Sequence, residues 1–164
     1  MIESDWCNCT DPEEMISFLR SKITRRKLSL LLCACFRRVE YLLTEDCGLP
    51  LVDAMERHAD GLGTLEECHH FIDTIMSSAG TEADYVAACG AVVRDWRQVK
   101  EVLRMLANVA QTTTPLLHSL RNQSVLLRDI IGNPFHPVVH FDRTSLSSET
   151  LSLATAIYEK DTSR

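Results

Sequence analysis

The chain has 164 residues, 45% of them hydrophobic and 24% charged. That balance excludes a disordered polymer, and the length suits a single domain whose core needs no disulfide or metal staple. A net charge of −6 argues against the basic surface of most nucleic-acid modules, although basic residues do gather between Arg20 and Arg38, ahead of an acid-dominated stretch at 40–73.

Taken in chain order, an N-terminal arm (residues 1–10) leads to Thr10-Asp11-Pro12-Glu13-Glu14. Thr10 or Asp11 can cap a helix there, Pro12 suits its first turn, and the two acids favour the positive end of the helix dipole. This first helix should end near 22–24. The second is expected over about 25–44, with Leu28, Leu31, Leu32, Cys35, Val39, Leu42 and Leu43 at three- and four-residue steps. Leu30, Cys33, Ala34 and Phe36 widen its apolar stripe, which predicts a central helix covered by neighbours. A third runs over about 50–59, with Leu51, Val52, Met55 and His58 inward. Asp60-Gly61-Leu62-Gly63 is a turn. Thr64 and Glu67 then form a capping box for a fourth helix whose inner face is Leu65, Cys68, Ile72, Ile75 and Met76.

The longest helix is expected over about 81–111. Val86, Cys89, Val93, Trp96, Val99, Leu103, Leu106 and Ala110 form its seam, and Arg94, Arg97, Lys100 and Arg104 face solvent. A sixth helix spans 115–131 and stops at Gly132 and Pro134. A C-terminal loop follows over 133–147, with Phe135 packing back on the bundle, and a last helix is expected over about 148–160. There is no strand alternation and no nucleotide-binding glycine loop. The reading is all-α: a single-domain bundle of about seven helices, mostly antiparallel neighbours.

The stretch Leu28–Phe36 is too short to span a bilayer, which takes about 20 residues, so no membrane partner is expected. The opening residues, MIESDWCNCTDPEE, are acidic and hold no apolar signal segment. A reducing cytoplasm with mostly free thiols is therefore expected for the seven cysteines. Cys33 and Cys35 point about 200° apart on a helix, cannot grip one ion, and read as core packing. Cys7 and Cys9 precede the first helix, and a four-ligand site recruiting Cys47 or Cys68 with His69 is the metal alternative, although no pair has tetrahedral-site spacing. Glu66-Glu67-Cys68-His69-His70 holds two Glu-x-x-His pairs, but a di-iron bundle needs a matching pair on another helix. His136 and His140 lack an identifiable catalytic partner. Lys22, Arg25, Arg26 and Lys27 form a basic corner that can meet phosphates, pair with the downstream acids, or cap helix C-termini; the structural roles are favoured.

The pattern Trp6-x-x-Cys9-x-Asp11-Pro12, then Arg26-Lys27-Leu28, then Leu126-Leu127-Arg128-Asp129-Ile130-Ile131-Gly132-Asn133-Pro134-Phe135-x-Pro137 resembles a helical family of planctomycete-type bacteria. The resemblance implies a bacterial intracellular protein. It carries over no activity, no cofactor and no catalytic residue.

The functional expectation is a non-enzymatic protein–protein interaction module, an adaptor or regulatory partner, that forms a homo-oligomer or binds a protein. A metal or thiol-redox protein using the Cys and His residues, and a nucleic-acid binder using the basic corner, are the alternatives.

Overall fold

The computed structural model describes residues 1–20, 22–77, 80–111 and 116–136. They form an all-α bundle, and among the described residues no strand occurs. The arm is itself helical: α1 (Glu3–Asn8) buries Trp6 to 1% exposure. Helix α2 (Pro12–Leu19) starts where expected, because Asp11 accepts hydrogen bonds from Glu13 N and Glu14 N. Its face of Met15, Ile16 and Leu19 is fully buried.

Helix α3 (Arg25–Arg37) is capped by Thr24, whose hydroxyl accepts from Lys27 N. Packing against α4, α6, α7 and α8 makes it the central helix, as its wide apolar stripe implies. It ends earlier than the expected position 44. The Phe36 carbonyl accepts from Arg38 N and Val39 N, which tightens the last turn, and a 3₁₀ turn follows at Glu40–Leu42. The periodicity continues because Val39 and Leu43 are still buried, but they are buried by a chain that has turned. The pull comes from Thr44, whose N–H donates to Asp84 Oδ1 at 3.0 Å.

Helix α4 (Gly48–Ala59) buries Leu51, Val52, Ala54 and Met55, whereas His58, expected inward, is exposed. Gly61 closes the following turn at φ +74°, a conformation that costs an L side chain energy. In α5 (Leu65–Ser77), Thr64 accepts from Glu67 N at 3.4 Å. Cys68 and Ile75 face inward, and Met76 is 66% exposed rather than on the inner face.

The expected long helix over 81–111 is two helices, α6 (Glu82–Ala91) and α7 (Trp96–Ala110). Val92 and Val93 are β-branched and propagate a helix weakly. Asp95 then caps a new start, accepting from Arg97 N at 2.8 Å and Gln98 N at 3.1 Å, while Gln98 Oε1 accepts from Arg94 N at 2.6 Å. Cys89, expected on the seam, is exposed. Gly90 sits against the Phe36 ring, where a Cβ would come within 2.8 Å of Cε2. The side of α7 expected to be solvated carries a link to α2: Glu13 takes Arg104 at 2.9 Å and Lys100 at 3.6 Å, and the Arg104 guanidinium holds the Glu13 carboxyl below its usual range.

Helix α8 (Leu116–Ile131) ends at Gly132, φ +78°, whose N–H donates to Arg128 O at 2.8 Å. Phe135 does pack back, stacking on Phe18 with ring centroids 5.4 Å apart. Pro115, His140 and the last expected helix, 148–160, lie outside the described residues. Among the described residues no helix is long and apolar enough to cross a membrane.

Candidate functional site

The basic corner is divided among three tasks. Arg26 donates to Ala59 O at 3.0 Å and pairs with Asp60 at 2.7 Å, which fastens α3 to the end of α4. Lys27 Nζ donates to Ile131 O at 3.2 Å and so caps the last turn of α8. Lys22 Nζ sits 4.5 Å above the Phe18 ring, a cation–π contact with an aromatic pair that the sequence pattern does not reveal. Arg25 has no ion-pair partner among the described residues and lines a shallow cleft with Arg20, Arg94 and Trp96.

The sulfur residues are dispersed. Cys33 and Cys35 are each 2% exposed, and burial pushes each thiol up to about 12. Burial also raises Cys68 and Cys9. A protonated thiol is a poor nucleophile and a poor metal ligand. Cys47 is buried with its sulfur 3.0 Å from Thr44 Oγ1. Cys7 and Cys89 are exposed, as is His69. Among the described residues no three His, Cys, Asp or Glu side chains come together in a way that would hold a metal ion.

The sequence motifs at the two ends meet in space. Arg128 on α8 donates to Trp6 O at 3.2 Å and Cys9 O at 2.6 Å. These are carbonyls at the end of α1, where a helix leaves acceptors without partners. His136 contacts Glu3 at 3.2 Å, and Trp6, Phe18 and Phe135 pack in sequence, with Trp6 6.3 Å from Phe18. This end of the bundle is held by fasteners, and beside them Cys7, Asn8, Arg121 and Arg128 line a polar hollow of about 370 Å³.

A more apolar open surface lies between α3 and α8. The two helices run antiparallel, since Lys27 reaches Ile131 at one end while Cys35 and Arg38 meet Ser119 and Asn122 at the other. Between them Leu30, Ala34, Leu126 and Ile130 are only half-buried and line a groove of about 550 Å³. One rim is held rigid by Arg37, which pairs with Asp53 and with Glu56 at 2.7 Å. Arg38, exposed at the same rim, has no ion-pair partner among the described residues. Beyond Arg38 the groove meets a cavity of about 50 Å³ lined by Cys35, Val39, Leu106 and Gln123. Gln123 is 4% exposed, and its Oε1 has no hydrogen-bond partner among the described residues. An unpaired buried acceptor costs about 1–3 kcal/mol. Neither the groove nor this amide is legible as a site in the sequence; the one hint is that Leu30 and Ala34 widen a stripe already wide enough for burial.

Compared with protein-family models, curated proteins and solved structures, the chain matches none.

Proposed function

We propose that the chain is a non-enzymatic interaction module, an adaptor or regulatory partner, whose α3–α8 face receives an amphipathic helix of another protein. The observation that carries this reading is the groove lined by Leu30, Ala34, Leu126 and Ile130. A trough between two antiparallel helices takes a third helix by the helix-in-groove mode, with anchors at three- and four-residue spacing. Arg38, a cation at the rim with no ion-pair partner among the described residues, favours an acid on the flank of the incoming helix. Most other strong polar groups near this face are already engaged within the fold: Arg26 and Lys27 hold helix ends, and Arg37 is held by two carboxylates. Among the described residues the thiols and histidines are dispersed and no three metal-ligating side chains come together. The resemblance to the planctomycete-type family, and with it a bacterial cytoplasmic setting, belongs to the same proposal.

Selection of displayed amphipathic helical peptides on the immobilised full chain tests the proposal. The expected result is enrichment of helices with apolar anchors and an acidic flank. Their binding should fall at least tenfold in Ala34→Gln, which fills the groove without removing a packed side chain, and persist in Met76→Gln on α5. Failure to enrich any helix, or binding that is indifferent to Ala34→Gln, would overturn the proposal.

A further inference from the structure

Gln123 holds a position that a hydrocarbon side chain would fill more simply. Its Nε2 donates to Leu103 O at 3.1 Å. That bond fixes the orientation of the amide and identifies Oε1 as the end without a partner. Leu103 lies well inside α7, where its carbonyl already has a helical N–H to accept from. The Gln123 bond therefore adds little to the fold, while the unpaired oxygen weakens it.

The cavity beside this amide has room for more than one water-sized group. Val39, Leu106 and Leu126 give it apolar walls, Ser119, Tyr41 and Asn122 contribute neutral polar groups, and Arg38 stands exposed on its lining. A complementary occupant has three properties. It is small, it carries a negative charge for the guanidinium, and it presents one hydrogen-bond donor to Gln123 Oε1. An ammonium donor is disfavoured, because no carboxylate lines the cavity and a buried cation without one is strongly penalised. A hydroxyl donor carries no such penalty.

We infer that the cavity between α3, α7 and α8 is a binding site for a short-chain hydroxycarboxylate, with its carboxylate on Arg38 and its hydroxyl donating to Gln123 Oε1. Arg38 supplies a charge-assisted, potentially two-pronged contact, and Gln123 supplies the discrimination. A site built around a buried acceptor rejects the analogue that lacks the donor, because the acceptor is then left unpaired. The inference stands apart from the docking groove, although Arg38 and Leu126 border both.

Titration of the full chain with glycolate and L-lactate, followed by saturation-transfer and amide-shift NMR, tests it, with acetate, propionate and L-alanine as comparators. The expected result is saturable millimolar binding of the two hydroxy acids, at least tenfold tighter than binding of the comparators. Gln123→Met should abolish the preference for lactate over propionate while leaving the thermal midpoint unchanged or raised. Arg38→Gln should weaken lactate at least tenfold with the fold intact. Equal binding of lactate and propionate, or no saturation by either hydroxy acid, would refute the site. A lowered midpoint in Gln123→Met would assign the amide to structure, with water filling the cavity.

Discussion

Raising the pH from about 8 to about 10 is expected to lower the folding stability of the chain by roughly 3 kcal/mol through two thiols alone. Cys33 and Cys35 are almost completely buried on α3, and burial holds their pKa values near 12 in the fold, against an ordinary value of 9.0. The neutral thiol is the form the fold tolerates. Below the unfolded value both states are protonated and the full stability is present. Between the unfolded and folded values the unfolded chain ionises while the folded chain does not, so stability falls as pH rises. The slope is about 1.4 kcal/mol per pH unit for each thiol. Lysines and tyrosines also titrate in this range, so the quantity to measure is a difference. Urea unfolding of the parent and of the Cys33→Ala, Cys35→Ala variant should show parallel stability below about pH 8, then a steeper fall for the parent. Curves that stay parallel to about pH 10 would mean that both thiols ionise in the folded chain and are not packing groups.

The second large effect centres on Asp84 in the first turn of α6. It is fully buried, and its carboxylate accepts from Thr44 N at 3.0 Å and Thr81 N at 2.8 Å. Thr81 in turn donates to Leu42 O at 3.0 Å and accepts from Asp84 N at 3.2 Å. One carboxylate thus pins the end of the 3₁₀ turn to the start of α6 across 40 residues of sequence. Asp84→Ala strands two N–H groups and should cost about 3 kcal/mol. Gly48 must lack a side chain for the same reason, because a Cβ there would lie 1.9 Å from Asp84 Oδ1. Gly48→Ala alone should cost about 2–3 kcal/mol, in the range of other overpacking changes. In the Asp84→Ala background the clash with the carboxylate disappears and only a 3.1 Å approach to Leu43 Cβ remains, so the combined penalty should fall short of the sum of the two by at least about 1 kcal/mol. Equilibrium denaturation of the four proteins checks this; strict additivity would remove Asp84 from its place against Gly48.

Local signals in the sequence were sound guides wherever local chemistry decided the outcome. Asp11-Pro12 capped α2, Gly132 ended α8, and Phe135 turned back onto the bundle. Apolar periodicity found the core but not the breaks in it. Cys89 and Val93 kept step with a helix that stops at Ala91, although Asp95-x-x-Gln98 was present as a start signal. A periodic stripe reports which residues face the core, and a turned chain can bury the same residues. The candidate surface was less legible than the fold. Its groove depends on how far α3 and α8 stand apart, which no spacing in either helix encodes. Arg26 and Lys27 take the favoured structural roles, pairing with a downstream acid and capping a helix end, but their partners, Asp60 and Ile131, could not be named because they are distant in sequence. Gln123 looked like any polar residue on a helix until α7 closed over it.

The claim that the α3–α8 face is the working surface can be tested most directly where the partner is present. A photo-crosslinking amino acid at position 34 of the full chain, activated in cells of the native host, should give a discrete adduct with a helical segment of another protein. The same probe at position 76 should give none. Adducts confined to this chain's own residues 137–164, or no adduct from position 34, would contradict the account.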